Sequence, residues 1–517
     1  MLFQSAGFIF VFLPLTLVFY YCIKSKYGIH PSLLLLCLSS VIFYSVYNPN
    51  HVAVIIVSIL FNYWVASKIS ERNSSTFLFI GVSFNLLLLG WFKYFLLLSE
   101  TVNSVLYLEL ELPDIILPIA ISFFTFQQIS YLVDLYRKEA KLYPFLQYFT
   151  FVTFFPQLIA GPIIHHKEIF PQLNERYLNR NKIGANLAIG GTLFCLGLIK
   201  KLGIADSVAP FADDLFNMSG VGYTPPLLDA WLGVGAYSLQ IYFDFSGYSD
   251  MALGLARMFG IRLPLNFYSP YRATNIVDFW RCWHITLSRF LRKYLYFPLG
   301  GNRHGIFRRY ANLFLVMILG GLWHGADWTF ALWGGLHGLY LSLYHSWRYV
   351  IPSTWQSPGL SRVSWALTLV FVIIAWVPFR ADDIETVMSV YSGMFGFEGF
   401  RIGENKLILL GKQNYMYGNL GLILANLGLS IDPSGSMTLT SHAWLTVAAL
   451  IAFFCPNSYQ ILRRYKPALN LGEFLKNDRF TSFQIKLVWP VGLLLALCAA
   501  LSFLKQSTTI EFLYFQF

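Results

Sequence analysis

Residues 310–328 read YANLFLVMILGGLWHGADW, an apolar run that ends in two glycines, a tryptophan and a histidine. Such a run is typical of a helix that crosses a lipid bilayer, which takes about 20 predominantly apolar residues. The glycines are expected to let a neighbouring helix approach closely. Ionisable side chains inside a bilayer are costly and usually functional, so His324 is the first candidate for chemistry.

The rest of the chain has the same character. Of its 517 residues, 56% are hydrophobic, 18% aromatic and only 12% charged, against about 25% charged residues in a typical soluble protein. This composition predicts an all-α polytopic membrane protein in which residues 1–517 form one domain, without a water-soluble catalytic domain. Apolar runs indicate about 11–12 transmembrane helices. They lie near residues 6–23, 32–48, 51–67, 76–98, 115–134, 184–201, 226–246, 310–324, 328–347, 363–379, 442–461 and 484–504.

The charges of the loops predict the orientation of these helices, because lysine and arginine accumulate on the cytoplasmic side. Lys24 follows the first predicted crossing and Lys68 the third, whereas loop 47–51 has no lysine or arginine and loop 99–114 has four acidic residues and no lysine or arginine. The N-terminus is therefore expected outside. By the same alternation, residues 380–441 form a long outer loop.

The apolar run 147–164 interrupts this alternation, because basic residues both precede and follow it. It contains Pro156, Gly161 and Pro162, and non-helical backbone at membrane depth is tolerated only where protein or a water-filled cavity surrounds it. We therefore expect a re-entrant segment that dips into the core and returns.

Basic residues concentrate between residues 257 and 309. This stretch has ten lysines and arginines and one acidic residue, so it supplies +9 of the net charge of +11. Such a bias orients a membrane protein and attracts anionic lipid head groups. It also suits a polyanionic ligand on the cytoplasmic face. Nucleic acid is not indicated, because the basic residues lie between apolar spans.

A helical wheel over residues 279–295 places aromatic and basic side chains on opposite arcs, which predicts an interfacial helix with His284 at their boundary. Asp244 and Asp250, at the cytoplasmic end of the 226–246 span, are expected to pair with a nearby arginine or to lie at a channel mouth. His337 is 13 residues from His324 and is expected on another face of the helix, in a structural role. The six cysteines show no CxxC spacing, so neither a disulfide framework nor a metal site is predicted.

Together, these motifs resemble a known family, the membrane-bound O-acyltransferases, in the bacterial branch of alginate and peptidoglycan O-acetylation. The ending FLYFQF at 512–517 also resembles endings in that branch. The matching stretches, dense in a motif core at residues 240–340, are YFDFSGYSD (242–250), FWRCWHITLS (279–288), YFPLGG (296–301) and GLWHGA (321–326).

The resemblance implies a helical bundle with a central tunnel in the inner membrane of a bacterium, surrounded by lipid. It implies an O-acetyltransferase without a bound cofactor, whose co-substrate is acetyl-CoA or an acyl-carrier thioester. Its partners would be a polysaccharide acceptor and a separate periplasmic or extracellular acetyltransferase. His324 matches the invariant histidine of the family and His284 its second polar position. The stretch GPIIHHK at 161–167 departs from the alginate enzymes, which puts alginate itself in doubt as the acceptor.

A thioester is already activated, so an enzyme of this kind must remove a hydroxyl proton and stabilise an oxyanion. Burial disfavours the imidazolium form, which suits His324 as the general base, with His284 orienting the thioester carbonyl or the donor arm. Near these histidines we expect Trp283, Trp323, Asp244 and Ser288. The donor phosphates are expected to bind Arg281, Arg289, Arg292 and Lys293.

Two alternatives stay open from the sequence. One is D-alanyl transfer to teichoic acid from a carrier-protein donor. The other, from a different class, is a transporter or channel in which intramembrane His and Asp relay protons, although the inverted internal repeat expected of many transporters is not evident.

Overall fold

A computed structural model describes most of the chain. The described residues are 1–108, 112–174, 177–178, 182–350, 358–397, 401–403, 430–432 and 439–475, with Gly492, Ala496, Leu497, Ala500, Phe503, Phe512 and Leu513 beyond them. Most of the predicted crossing at 484–504 and most of the predicted outer loop therefore lie outside the described residues.

The described chain is almost wholly helical, which confirms the predicted fold class. The two strands, β1 (Arg401–Gly403) and β2 (Ser430–Asp432), pair in parallel. The helices are α1 (Leu13–Tyr27), α2 (Ile29–Ser45), α3 (Pro49–Arg72), α4 (Ser75–Leu89), α5 (Phe95–Leu106), α6 (Ile121–Tyr136), α7 (Phe145–Thr153), α8 (Phe155–Leu158), α9 (His166–Ile169), α10 (Ile183–Leu198), α11 (Asp206–Gly220), α12 (Leu227–Met258), α13 (Ile276–Cys282), α14 (Ile285–Leu291), α15 (Gly305–His324), α16 (Trp328–Val350), α17 (Pro358–Arg380), α18 (Ile384–Met394), α19 (Leu439–Phe454), α20 (Ser458–Ile461) and α21 (Leu471–Leu475).

Within the described residues, six helical segments are long and apolar enough to cross a membrane. Their outward faces carry large apolar side chains such as Phe79 and Leu87, which are exposed on the protein surface. Contiguous exposed apolar surface of this kind indicates contact with lipid, so the chain is a multi-pass membrane protein. The six segments are Phe8–Tyr27, Pro49–Arg72, Ser75–Leu106, Ile183–Gly220, Gly305–His324 and Leu360–Arg380.

Helix α12 lies at the centre of the bundle, and every residue from Ala236 to Met258 is buried. Helix α10 lies directly against it because glycines meet along the contact. A Cβ atom on Gly190 would come 2.5 Å from the carbonyl oxygen of Gly254, and one on Gly197 would come 2.5 Å from that of Gly247. Small residues at this spacing allow the two backbones to touch.

Helix α7 breaks at Phe154, and the short α8 is followed by non-helical backbone through Gly161. Residues 150–164 are all buried, so the polar backbone of this break is enclosed by protein, as non-helical chain at membrane depth requires. The path of the segment relative to the bilayer stays a prediction.

The prediction of one continuous helix over residues 279–295 is wrong. Helix α13 ends at Cys282, His284 adopts a left-handed conformation with φ of 41°, and α14 begins at Ile285. The extended segment before α13 explains the break: the N–H of Tyr268 donates to the Cys282 carbonyl (2.9 Å) and that of Ile285 to the Asn266 carbonyl (3.0 Å). The helical pattern of residues 279–295 gives no information about hydrogen bonds made by residues 266–268, which lie outside that stretch.

Candidate active site

His324 is the last residue of α15, and its side chain is buried. Helices α15 and α16 cross closely here because two glycines face backbone. A Cβ on Gly321 would lie 2.1 Å from the Phe330 carbonyl oxygen, and one on Gly334 would lie 2.2 Å from that of Met317. The expected role of the glycines in close helix approach is confirmed.

Aromatic rings enclose the His324 imidazole. The ring centroids of Trp323, Trp333 and Phe379 lie 5.0, 5.1 and 5.2 Å from it. His337 is part of the same cluster, since its centroid lies 4.8 Å from Trp333. The two histidines lie on separate helices, as the predicted crossings 310–324 and 328–347 imply. The expectation that they face different ways is wrong, because the chain turns between α15 and α16 and Trp333 packs against both rings.

His284, the second predicted histidine, lies in the same aromatic cluster. It is fully buried, and its ring centroid lies 6.1 Å from that of His324. A histidine with positive φ is uncommon, and such strain clusters at functional sites. The two candidates, 40 residues apart in the sequence, therefore converge in one buried site.

Asn266 orients His284 and was not predicted. Its Oδ1 accepts from His284 Nδ1 (3.2 Å), from the Thr286 hydroxyl (2.8 Å) and from the Thr286 N–H (3.3 Å). The Thr286 hydroxyl in turn accepts from the N–H of Ile163 in the broken segment (3.0 Å). One buried network thus ties the broken segment to the backbone turn at His284.

These bonds define the state of the His284 ring. Because a carbonyl oxygen can only accept, Nδ1 carries the proton, and in the neutral imidazole Nε2 then presents a lone pair. Neutral His284 can accept a hydrogen bond through Nε2, but it cannot donate one to a thioester oxygen.

A cavity of about 350 Å³ opens beside this network. Thr286 and Phe290 line it, as do three basic side chains, Lys167, Arg289 and Lys293. Two of these, Arg289 and Lys293, are among the four basic residues predicted to bind the donor.

The other two basic candidates do not line the cavity. Arg281 is exposed and pairs with Asp278 at 2.8 Å, three residues away on the same helix, and exposed Arg292 lies over the ring of Phe297. Lys167 lines the cavity instead and was not predicted, because it comes from a different part of the sequence.

Stacked rings connect the cavity with the histidines. The Phe290 ring stacks on Phe126 with centroids 4.2 Å apart, and Phe126 stacks on Trp323 at 5.4 Å. Trp323 contacts both His324 and His284. The apolar wall of the cavity therefore continues directly to the two imidazoles.

Carboxylates hold the cavity lysines in place. Lys293 donates to Asp134 (2.9 Å) and to Glu139 (3.0 Å), and Lys167 donates to Glu139 (3.2 Å). The bonds from Lys293 and Lys167 lower the pKa of Glu139, so this side chain is ionised near neutral pH. Both lysines are thus positioned at the rim of the cavity with their charges partly balanced.

Asp134, His165 and His166 present donor atoms within 4.8 Å of one another, as a metal site would. The Lys293 ammonium, however, lies 3.4 Å from His165 Nε2 as well as 2.9 Å from Asp134, and the Tyr294 hydroxyl donates to the same carboxylate oxygen (2.8 Å). A divalent cation at this point would meet an ammonium at close range. We therefore assign the cluster to the positioning of Lys293.

The aspartates of α12 pair with lysines, so the expected arginine partners are wrong. Asp244 binds Lys201 at 2.6 Å and Asp250 binds Lys200 at 2.7 Å. Two consecutive lysines in the π-helical turn after α10 supply the charges, which an apolar span in the sequence does not reveal.

The remaining predicted neighbours lie at different distances from the histidines. Trp323 contacts both imidazoles directly. Trp283, although adjacent to His284 in the sequence, packs behind it against Phe267, Phe279 and Trp376. Ser288 is half-buried on α14.

The chain is similar to a known protein family and to several of its members. The model of the membrane-bound O-acyltransferase family matches residues 91–381. A peptidoglycan O-acetyltransferase of Helicobacter pylori is 42% identical over 77% of this chain and 80% of its own length. A probable alginate O-acetylase of Pseudomonas aeruginosa is 39% identical over 83% of this chain and 82% of its own. A teichoic acid D-alanyltransferase of Bacillus subtilis is 26% identical over 44% of this chain and 58% of its own.

Proposed function

The chain belongs to the membrane-bound O-acyltransferase family, and from that premise we propose that it transfers acetyl groups from a cytoplasmic thioester for O-acetylation of an extracytoplasmic polysaccharide or peptidoglycan. Relatives that cover most of the chain are named for peptidoglycan and for alginate O-acetylation. In this proposal the enzyme works in the inner membrane of a bacterium and passes the acetyl group to a separate acetyltransferase outside.

The observation that carries the proposal is the pair of buried imidazoles with ring centroids 6.1 Å apart. They lie in an aromatic enclosure that continues to a cavity lined by three basic side chains. Buried nitrogen bases beside a site for an anionic donor are what acyl transfer to a hydroxyl requires.

In the proposed reaction, His324 accepts the hydroxyl proton as the oxygen attacks the thioester carbonyl carbon. The new C–O bond forms, the C–S bond breaks, and the proton passes from the imidazolium to the departing thiolate. The products are an O-acetyl ester and a free thiol. General-base catalysis of this kind typically contributes about 10²- to 10⁴-fold in rate.

In this proposal His284 positions a reactant, but it does not do so by donating a hydrogen bond to the thioester carbonyl oxygen. With Nδ1–H donated to Asn266 Oδ1, its Nε2 is an acceptor, which suits the amide N–H groups of a pantetheine arm or the attacking hydroxyl. It therefore orients a reactant by accepting a hydrogen bond.

The cavity is proposed to receive the donor. Its volume of about 350 Å³ lies within the usual range for small-molecule sites, about 300–1,000 Å³. Lys167, Arg289 and Lys293 would bind the phosphates of acetyl-CoA or of a phosphopantetheine arm. The donor is a co-substrate that leaves after each turnover.

D-alanyl transfer from a carrier protein is the second candidate, favoured by the partial similarity to teichoic acid D-alanyltransferases. Acetyl transfer and D-alanyl transfer are distinguished by an assay in membranes that contain the full-length protein. The membranes are supplied either with radiolabelled acetyl-CoA or with a D-alanyl-charged carrier. We expect label to move from acetyl-CoA into an ester or a membrane intermediate. Transfer from the charged carrier alone would overturn the proposal in favour of D-alanylation.

A further inference from the structure

A lysine buried inside a membrane-spanning segment contacts the helix end that carries His324. Lys93 lies in the π-helical turn Gly90–Tyr94 between α4 and α5, and its side chain is buried. Its ammonium donates to the carbonyl oxygens of Trp323 (2.6 Å) and His324 (2.9 Å). Single π-turns inside α-helices occur frequently at functional sites.

The next residue extends the same contact. The Tyr94 hydroxyl donates to the carbonyl oxygen of Leu322 at 2.9 Å. Two consecutive side chains of one π-turn thus bind three consecutive carbonyls of α15, although some 230 residues separate the partners in the sequence.

These carbonyls need partners from outside their own helix. The last four C=O groups of an α-helix have no N–H partner within it. Helix α15 ends at His324, because Gly325 is extended (φ −146°, ψ 147°) and a Cβ there would lie 2.0 Å from the Phe330 ring. The chain cannot continue the helix, so the cap must come from elsewhere.

The contact also balances charge. An ammonium inside a membrane span is unfavourable unless it is paired, and the C-terminus of a helix carries a partial negative charge of about half an electron. Lys93 therefore stabilises the end of α15, and the end of α15 stabilises the Lys93 ammonium.

We propose that Lys93 and Tyr94 are positioning residues that cap the C-terminal end of α15 and thereby fix the backbone of His324 at the reaction centre. This inference rests on the proposed role of His324 as the general base. A displacement of about 1 Å in a catalytic group can cost on the order of 10²-fold in rate, so the loss of the cap should reduce turnover rather than donor binding.

The test measures initial rates in membranes that contain full-length variants, at varied acetyl-CoA concentrations. Lys93→Met is expected to lower the maximal rate by about 10- to 100-fold, with the half-saturating acetyl-CoA concentration changed less than about threefold. Lys93→Arg, which retains a cationic donor, should recover a large part of the rate. Tyr94→Phe, which removes one of the bonds, is expected to lower it by about two- to fivefold.

Matched controls come from the same chain. Lys24 donates to the Leu178 carbonyl (2.9 Å) and Tyr44 to the Ile119 carbonyl (2.8 Å), both outside the histidine site. Lys24→Met and Tyr44→Phe remove bonds of the same type and should leave the maximal rate unchanged. If Lys93→Met does not accumulate in the membrane, the maximal rates of Tyr94→Phe and Tyr44→Phe are compared. A lower rate for Tyr94→Phe supports the cap, and equal rates contradict it.

A double variant separates this inference from the proposed function. If Lys93 acts through His324, then Lys93→Met in a His324→Ala background should lower the residual rate no further. If Lys93→Met has the wild-type rate while His324→Ala is inactive, the capping role of Lys93 is refuted and the general-base role of His324 is not. A full rate for His324→Ala itself refutes the general base, whatever Lys93 does.

Discussion

At the scale of single residues, the sequence predicted the histidines but not what holds them. His324 and His284 stand in short motifs rich in tryptophan, and burial of such residues can be inferred from their surroundings. No sequence motif marks Asn266 or Lys93, because the role of each depends on hydrogen-bond partners that only the fold brings close. Arg281 and Arg292 were predicted from charge alone, which does not reveal the direction of a side chain.

Asn266 gives a prediction at this scale. Asn266→Leu removes an acceptor shared by His284 and Thr286, so the imidazole loses its fixed tautomer. Three buried donors lose their partner: the ring N–H of His284 and the hydroxyl and backbone N–H of Thr286. We expect acetyl transfer to fall by about 10- to 100-fold, as for a displaced catalytic group, and the free energy of unfolding to fall by about 1–3 kcal/mol.

Rates in membranes and thermal unfolding in detergent measure these two effects. Asn266→Asp keeps an acceptor at Oδ1 and serves as the comparison, with a smaller loss of transfer. Equal transfer by wild type and Asn266→Leu would show that Asn266 does not hold His284 in its catalytic position.

At the scale of helices, the sequence predicted where most elements lie but missed their breaks. The break at His284 was missed because the stretch 279–295 has a regular helical pattern, and the contacts that interrupt it come from residues 266–268. The close packing around Gly321 was predicted, because glycine in an apolar span is typical of helices that approach each other closely.

The α15–α16 contact allows a matched pair of glycine substitutions. Gly334→Ala would place a methyl group 2.2 Å from the Met317 carbonyl oxygen, whereas at neighbouring Gly335 the nearest atom, of the Phe314 ring, is 3.8 Å away. Overpacking costs about 1–3 kcal/mol, so Gly334→Ala should lower the unfolding temperature in detergent while Gly335→Ala leaves it close to wild type. Equal temperatures for the two would contradict the observed packing.

At the scale of the whole molecule, composition was sufficient to predict a helical membrane protein, because few other folds tolerate 12% charged residues. Topology relative to the bilayer depends on loop charge. The re-entrant path predicted for residues 147–164 requires that the chain on both sides of it lies on the cytoplasmic face.

Single cysteines in a cysteine-free background test this path. Ala140→Cys and Lys182→Cys should react with a membrane-impermeant thiol reagent only from the cytoplasmic side. Tyr107→Cys, in the exposed segment between α5 and α6, should react only from the outside. Labelling of positions 140 and 182 from opposite sides would show that residues 147–164 cross the membrane.

The most direct test of the central claim compares ester-linked acetate on cell-surface polymers among wild-type, deletion, His324→Ala and His30→Ala cells, with equal amounts of each variant in the membrane. His30 is an exposed histidine of α2 and serves as the control. The general-base role of His324 predicts that ester-linked acetate is lost in the deletion and in His324→Ala, because the rate of transfer falls by about 10²-fold or more, and that it is retained in His30→Ala. Wild-type acetate levels with His324→Ala would contradict it.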